Sequence, residues 1–142
     1  MLEKFPLLDA EYMQTGKVKF IVHSFHQGRP ESALAAEAAW CAADQGKFFE
    51  YEHALFENQG TAWNQGNLAD LAGRTGLDQN AMSQCLSNGM HRADVESARQ
   101  AARNKGVSAT PTFFVNNQRI EGNVPYEEFK RVIDQELARA GQ

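Results

Sequence analysis

The stretch Thr110-Pro111-Thr112-Phe113-Phe114-Val115-Asn116 places a proline directly before a short apolar run. Proline has no backbone N–H and a fixed φ, so it is confined to the start or the edge of a strand. We therefore expect Pro111 to sit where a strand over 113–115 begins. A second short run over 119–121 follows after residues 116–118, and asparagine tolerates the positive φ of a tight turn. The two runs predict a β-hairpin.

Helical spacing of apolar residues surrounds this hairpin on both sides. In chain order the sequence predicts a helix over 7–13, a strand over 17–22, a mostly helical block over about 30–90, a long helix over 91–105, the hairpin, and a last helix after Pro125. The strand over 17–22 is predicted because Val18, Phe20 and Val22 alternate with Lys19 and Ile21, which indicates a strand with one side more deeply buried. No repeat or linker divides the chain, so we expect one domain over 1–142 with a helical insertion at about 30–90.

Three positions in the helical block predict helix starts from their residue types. Pro30 is suited to a first helical residue. Asn67 can cap the helix that contains Leu68 and Leu71, and Asp78 can cap the short helix that contains Cys85.

Composition excludes several classes of partner. The 142 residues carry a formal charge of −4, and the basic residues are scattered among acids, which argues against binding to a nucleic-acid backbone. No run reaches the roughly 18 apolar residues that a membrane span requires, and the first residues lack the apolar core of a signal peptide. We therefore expect no membrane span and no export signal in this chain.

The only two cysteines, Cys41 and Cys85, are too far apart for a Cys-x-x-Cys motif and too few for a four-cysteine metal site. Both fall on inward faces of the helical block. Two interpretations stay open at this point: two buried thiols, or a structural disulfide. A disulfide would be worth about 4 kcal/mol in the chain-entropy model and would imply an oxidising compartment.

The four histidines have no metal-ligand spacing among themselves or with nearby carboxylates. They are His23, His26, His53 and His91. The sequence therefore predicts no metal site, and nothing in it calls for a cofactor. Surface or capping roles are the expected ones for these side chains.

Several segments, in order along nearly the whole chain, resemble the DsbA family of thiol:disulfide oxidoreductases. They are Thr15-Gly16-Lys17-Val18, Pro30-Glu31-Ser32 through Ala35-Ala36-Glu37-Ala38-Ala39, Gln45-Gly46-Lys47-Phe48 before His53-Ala54-Leu55-Phe56, Cys85-Leu86 with Gly89, Gly106-Val107-Ser108-Ala109-Thr110-Pro111-Thr112-Phe113-Phe114-Val115-Asn116, and Pro125-Tyr126-Glu127-Glu128-Phe129. The resemblance implies an α/β thioredoxin-like fold with a helical insertion.

The same resemblance implies a function and a binding site. The family exchanges thiols and disulfides with protein or peptide substrates. Its proline loop offers backbone hydrogen bonds to an extended substrate, a form of strand addition. By this resemblance Thr110, Pro111 and Thr112 are the substrate-binding residues, and the Thr110–Pro111 bond is cis. A periplasmic or other extracytoplasmic location is also implied by the family alone.

One family feature is missing from these residues. Members begin with a strand that delivers Cys-x-x-Cys to the start of the first helix, where the helix end stabilises a reactive thiolate. This sequence contains no such motif. We therefore predict an N-terminally truncated member with no catalytic residue of its own, inactive as given. The sequence therefore does not decide whether the chain acts as an enzyme.

The missing first strand would be central in the family's sheet, between the strand at 17–22 and the one at 112–115. Its absence predicts two unpaired edges, which are costly when buried and invite pairing with another chain. We expect either direct pairing of those two strands or a homodimer that completes the sheet. The alternative function is a non-catalytic peptide-binding or dimeric assembly module that uses the face around Pro111.

Overall fold

The computed structural model describes residues 4–141. Helices dominate this part of the chain, with one short hairpin near its end. The elements are α1 (Phe5–Leu8), a π-helical turn (Asp9–Met13), α2 (Pro30–Asp44), α3 (Phe48–Glu57), α4 (Gln65–Arg74), α5 (Gln79–Ser87), α6 (Arg92–Asn104), β1 (Thr112–Val115), β2 (Gln118–Glu121) and α7 (Tyr126–Arg139). Within the described residues, no helix combines the length and the apolar character that crossing a bilayer requires.

The chain divides into two compact units. The first unit is Met1–Val22 together with Val107–Gln142, and the second unit is His23–Gly106. The second unit therefore interrupts the first along the sequence, and it contains α2 to α6.

The predicted hairpin is confirmed in the first unit. Strands β1 and β2 pair antiparallel, with Phe113 opposite Ile120. The two-residue connection needs a positive φ at its first position, and Asn116 supplies it at 52°. At the other end of the hairpin the N–H of Gly122 donates to the carbonyl of Pro111 at 2.8 Å. Pro111 therefore lies at the open end of the hairpin, where the strand begins.

Helix α7 packs against the hairpin because its apolar residues recur at helical spacing. The ring of Phe129 meets that of Phe113 edge to face at a centroid distance of 4.9 Å. The core of this unit consists of Leu8, Tyr12, Ile120, Phe129, Val132 and Ile133, all buried. Val18 packs against the same core, so the segment after the π-helical turn shares the hairpin's apolar cluster.

The strand predicted over 17–22 is not formed. Its burial does alternate as expected: Val18, Phe20 and Val22 are partly buried, whereas Lys19 and Ile21 are exposed. In the part of the chain that the structure describes, however, the only strand pairing is between β1 and β2. Alternation fixes which side chains point inward, but a strand also needs a neighbour to complete its hydrogen-bond ladder. The expected direct pairing of this segment with β1 is therefore wrong.

In the second unit, α2 is the central helix and contacts α3, α4, α5 and α6. It begins at Pro30, as predicted, because a first helical residue needs no N–H donor. Asp78 caps α5 by accepting hydrogen bonds from two backbone N–H groups. Helix α4 begins earlier than predicted: Asn64 is its cap, and Asn67 completes a reciprocal capping box instead of capping the helix itself.

The core of the second unit combines small and large apolar residues. Its buried members are Ala38, Ala39, Cys41, Ala42, Tyr51, Ala54, Leu68, Ala69, Leu71, Ala72, Leu77, Met82, Cys85 and Leu86. Tyr51 satisfies its buried hydroxyl by donating to the carbonyl of Leu68 at 2.8 Å. The alanine-rich face of α2 allows the neighbouring helices to approach closely.

Candidate functional site

The loop before β1 is held by bonds between its own residues. The Thr110–Pro111 peptide bond is cis. The hydroxyl of Thr112 donates to the carbonyl of Ala109 at 2.8 Å, which closes the loop around Pro111. Thr110 is exposed, and Pro111 and Thr112 are partly buried. The three residues predicted to bind substrate are therefore adjacent at the open end of the hairpin.

Strand β1 offers hydrogen-bonding groups on its side away from β2. In an antiparallel pair the residues alternate between those bonded to the partner and those whose N–H and C=O point outward. Because Pro111 accepts from Gly122, Thr112 belongs to the outward set. Across residues 4–141 no strand pairs with this side of β1, and the backbone groups of Thr110 have no hydrogen-bond partner. An extended peptide could pair with this edge.

The two cysteines form a disulfide in the second unit. The Cys41 and Cys85 sulfurs are 2.01 Å apart and join α2 to α5. Their residues are 2% and 6% exposed, so the bond is screened from large thiol reagents. Of the two interpretations that the sequence left open, the structure has the disulfide. While that bond is intact, the described residues contain no thiol that could attack a substrate disulfide.

His91 lies beside this disulfide, which the sequence spacing did not indicate. A ring nitrogen of His91 and the two sulfurs all lie within 4.8 Å of one another. Nε2 of His91 is 2.7 Å from a carboxylate oxygen of Asp44, and Nδ1 is 3.5 Å from one of Asp94. Asp44 follows Cys41 by three residues on α2 and so shares its helix face. His91, by contrast, follows α5 and comes near the sulfurs only through helix packing.

The other histidines have ordinary partners. His26 is buried, with Nε2 3.2 Å from the carboxylate of Glu96. His53 is exposed and faces Glu57 one turn along α3. His23 is exposed. None of these three belongs to a group of metal-ligand atoms within the described residues.

A polar cluster joins the π-helical turn to α7 in the first unit. Glu11 accepts hydrogen bonds from Tyr126 and Lys130, and Tyr12 donates to Asp134 at 2.7 Å. The bond from Lys130 is the main cause that lowers the pKa of Glu11, and the bond from Tyr126 adds to it. Burial, followed by the bond to Asp134, raises the pKa of Tyr12 to about 12. The acids are therefore charged and the phenol protonated near neutral pH, an arrangement that fastens two elements together.

Comparison with known proteins identifies the family. A family model described as thioredoxin matches residues 3–135. Disulfide bond formation protein D of Bacillus subtilis is 30% identical over an alignment of 141 positions, and the match covers 94% of this chain and 63% of that protein. The chain therefore spans less than two thirds of that relative's length.

Solved structures give the same result. The crystal structure of oxidised BdbD from Bacillus subtilis has a TM-score of 0.80 at 29% identity, and the match covers 94% of this chain and 76% of that one. A thioredoxin-like oxidoreductase from Silicibacter pomeroyi also has a TM-score of 0.80, at 26% identity, with 99% of this chain and 77% of that one covered. These matches confirm the expected thioredoxin-like fold with a helical insertion. The chain belongs to the thioredoxin family, and within that family it is similar to DsbA-like thiol:disulfide oxidoreductases.

Proposed function

We propose that the protein is a DsbA-like thiol:disulfide oxidoreductase that acts on protein disulfides, and that these 142 residues provide its scaffold and its substrate-binding loop. The observation that carries the proposal is the edge formed by Thr110 and Thr112. The backbone groups of Thr110 have no hydrogen-bond partner within residues 4–141, and those of Thr112 point away from β2. An extended substrate would pair there by strand addition, with Pro111 between the two residues.

The redox half of the proposal concerns the cysteines. Thiol–disulfide exchange begins with attack by a thiolate on a disulfide sulfur. The sequence has two cysteines and no Cys-x-x-Cys. The two cysteines form a disulfide with each other, and both residues are buried. These 142 residues alone therefore bind an extended substrate without exchanging its disulfides.

Substrate binding is tested with carboxymethylated insulin B chain, an unfolded peptide that contains no thiol. Thr110→Pro removes one backbone donor and lowers the affinity for this peptide by about 2- to 12-fold, the equivalent of one hydrogen bond. Thr110→Ala keeps the backbone and serves as the matched control, with unchanged affinity. Fluorescence anisotropy measures binding, and thermal unfolding verifies that both variants are folded. Equal affinities of Thr110→Pro and wild type would contradict pairing at this edge.

A modified peptide makes the same test without changing the protein. Two copies of a short peptide are methylated on backbone nitrogen, one at odd positions and the other at even positions. A strand exposes its N–H groups alternately to its two sides, so only one of the two peptides loses the donors that face β1. Strand addition predicts that one peptide binds and the other does not. Equal binding of both would point to side-chain recognition instead.

The redox half is tested by insulin reduction with dithiothreitol. The chain is expected to give no rate above that of dithiothreitol alone, because Cys41 and Cys85 are buried and do not form a Cys-x-x-Cys pair. A Cys41→Ala, Cys85→Ala variant is the control and should behave identically. Turnover by wild type that the variant lacks would show that Cys41 and Cys85 are themselves the redox centre.

The open edge of β1 favours a second candidate, a non-catalytic module that pairs with a second copy of the chain. Unpaired strand edges are templates for association. Light scattering on the eluted protein distinguishes the states, because the monomer mass is 15.8 kDa. If the protein is a dimer that dissociates when carboxymethylated insulin B chain is added, dimerisation and peptide binding use the same edge of β1. A monomer at all concentrations would remove this candidate.

We also propose that residues 1–142 form one domain, in which the helical block, predicted over about 30–90, is the insertion. The uninterrupted family match over residues 3–135 supports this. A single domain unfolds in one cooperative transition, seen at the same urea concentration by near-UV and far-UV circular dichroism. Two separate transitions would indicate two domains.

A further inference from the structure

The grouping of Cys41, Cys85 and His91 contains the ligand set of a soft metal ion. Both cysteine residues are buried, whereas 18% of the His91 side chain is accessible. His91 occupies the position before α6, yet its side chain makes no capping hydrogen bond. Its imidazole instead lies between the sulfurs and the carboxylates of Asp44 and Asp94. A metal ion could therefore reach the sulfurs from the solvent-accessible side of His91.

We propose that this cluster is a redox-controlled zinc site, which binds Zn²⁺ when the Cys41–Cys85 bond is reduced and releases it when the bond forms. The proposal is independent of the oxidoreductase function, because it concerns only residues of the second unit. The intact disulfide provides no thiolate ligand. A dithiol reductant supplies two electrons and two protons, so that the protein gains two thiols and the reductant becomes a cyclic disulfide. Binding of Zn²⁺ then displaces the two thiol protons.

The chemistry of the ligands selects the metal. Thiolate sulfur and neutral imidazole nitrogen favour zinc, whereas magnesium and calcium require oxygen ligands. In a tetrahedral site the ligand atoms stand about 3.5–3.8 Å apart. The ligand atoms of Cys41, Cys85 and His91 lie within 4.8 Å of one another. The two sulfurs are 2.01 Å apart in the disulfide and separate to the tetrahedral spacing once the bond is reduced. Asp44 is not a member of that group, and a water molecule completes the coordination.

The carboxylates around His91 suit the role of orienting groups. A histidine that binds zinc through one nitrogen usually donates its other N–H to a carboxylate, which fixes the ring. His91 has a carboxylate near each nitrogen, Asp44 at 2.7 Å and Asp94 at 3.5 Å. Whichever nitrogen turns to the metal, the other keeps an acceptor. Asp44 and Asp94 are therefore positioning residues for the imidazole.

Zinc binding to the full 142-residue chain tests the proposal. The protein is reduced with a phosphine, which takes up the oxygen of one water as the disulfide becomes two thiols, and the phosphine is removed without air. Zn²⁺ is then titrated in competition with a coloured chelator. The reduced chain is expected to bind one Zn²⁺ with release of two protons, and the oxidised chain to bind none. Co²⁺ in place of Zn²⁺ should give the thiolate charge-transfer absorption.

Variants identify the ligands. His91→Ala should weaken zinc binding by more than about 100-fold, because loss of an orienting group alone costs 10- to 100-fold. The double variant Asp44→Asn, Asp94→Asn should weaken it by about 10-fold. His53→Ala is the matched control, since His53 is exposed and lies outside the cluster. The oxidised variants are compared by circular dichroism to verify that they are folded.

Two results would overturn the proposal. One is zinc binding by reduced His91→Ala that is as tight as that of reduced wild type, which would mean that the thiols act without the imidazole. The other is a reduced chain that binds no zinc, or stays unfolded at saturating zinc, since a ligand of the folded state must raise its stability. In the first case His91 would not be a ligand of the proposed site, and in the second case the cysteines would form a structural disulfide only.

Discussion

The hydroxyl of Tyr12, in the π-helical turn, donates a 2.7 Å hydrogen bond to the carboxylate of Asp134 in α7. This bond connects two segments that are 122 residues apart in the sequence. Tyr12 is 2% exposed, so its ring lies in the core and only the hydroxyl reaches the polar cluster. The state of this one proton therefore affects how firmly the two ends of the first unit are joined.

Tyr12→Phe should reduce the loss of unfolding free energy at alkaline pH. The pKa of Tyr12 is raised from 10.0 to about 12, chiefly by burial and then by Asp134. Between these values the unfolded chain binds fewer protons than the folded chain, so stability falls as pH rises. Urea unfolding at about pH 9 and 11 should show that the unfolding free energy of the variant falls less between these pH values than that of wild type. The difference corresponds to the one proton that Tyr12 releases. An unchanged fall would mean that the Tyr12 pKa is unshifted.

Glu52→Gln should stabilise the protein near neutral pH. Burial raises the pKa of Glu52 above 4.5, so the folded state disfavours its charged form. The destabilisation caused by the charged Glu52 carboxylate is present in full above the pKa that Glu52 has in the folded state, and it is absent below 4.5. The gain in unfolding free energy of the variant should therefore be measurable at about pH 7 and vanish in acid. Glu50→Gln, at an exposed position of the same helix, is the control without such a change.

Removing the disulfide should destabilise the chain strongly. Cys41 and Cys85 are 44 residues apart, and a cross-link over a loop of that length is worth about 4 kcal/mol in the chain-entropy model. Cys41→Ala with Cys85→Ala should lower the unfolding free energy by about this amount, as measured by urea denaturation. Reduction of wild type by a phosphine, with a chelator present to exclude metals, should give a similar loss. A loss below about 1 kcal/mol would contradict the model.

The hairpin turn should depend on residue 116 more than on residue 117. Asn116 has a φ of 52°, a conformation that costs ordinary side chains about 1–2 kcal/mol. Asn116→Ala should therefore destabilise the chain by about 1 kcal/mol. Asn116→Gly, which tolerates this φ, should not, although both variants lose the hydrogen bond to Glu136. Asn117→Ala is a further control, and equal effects of all three variants on thermal unfolding would refute the conformational argument.

Features that depend on neighbouring residues could be predicted from the sequence. Pro30 begins α2, Asp78 caps α5, and the hairpin after Pro111 turns at Asn116. Each follows from a rule that acts within a few residues: a missing donor, a capping acceptor, or a tolerated φ. The same rules do not decide between close candidates: the sequence predicts Asn67 as the cap of α4, whereas Asn64, three residues earlier, is the cap.

Features that depend on distant partners were mispredicted or left open. Segment 17–22 has the burial alternation of a strand, but the ladder requires a neighbour that the pattern does not specify. The sequence could not distinguish two buried thiols from a disulfide, because both place cysteines on inward helix faces. The approach of His91 to the sulfurs arises from the packing of α2, α5 and the start of α6, and no spacing in the sequence encodes it.

The link between α2 and α5 also has a practical consequence. Helices α3 and α4 and their connecting segments all lie between Cys41 and Cys85. A protease that cuts the backbone once anywhere in this interval leaves both fragments covalently attached. Such a nicked protein would migrate intact on a denaturing gel without reductant and separate into two bands only after reduction.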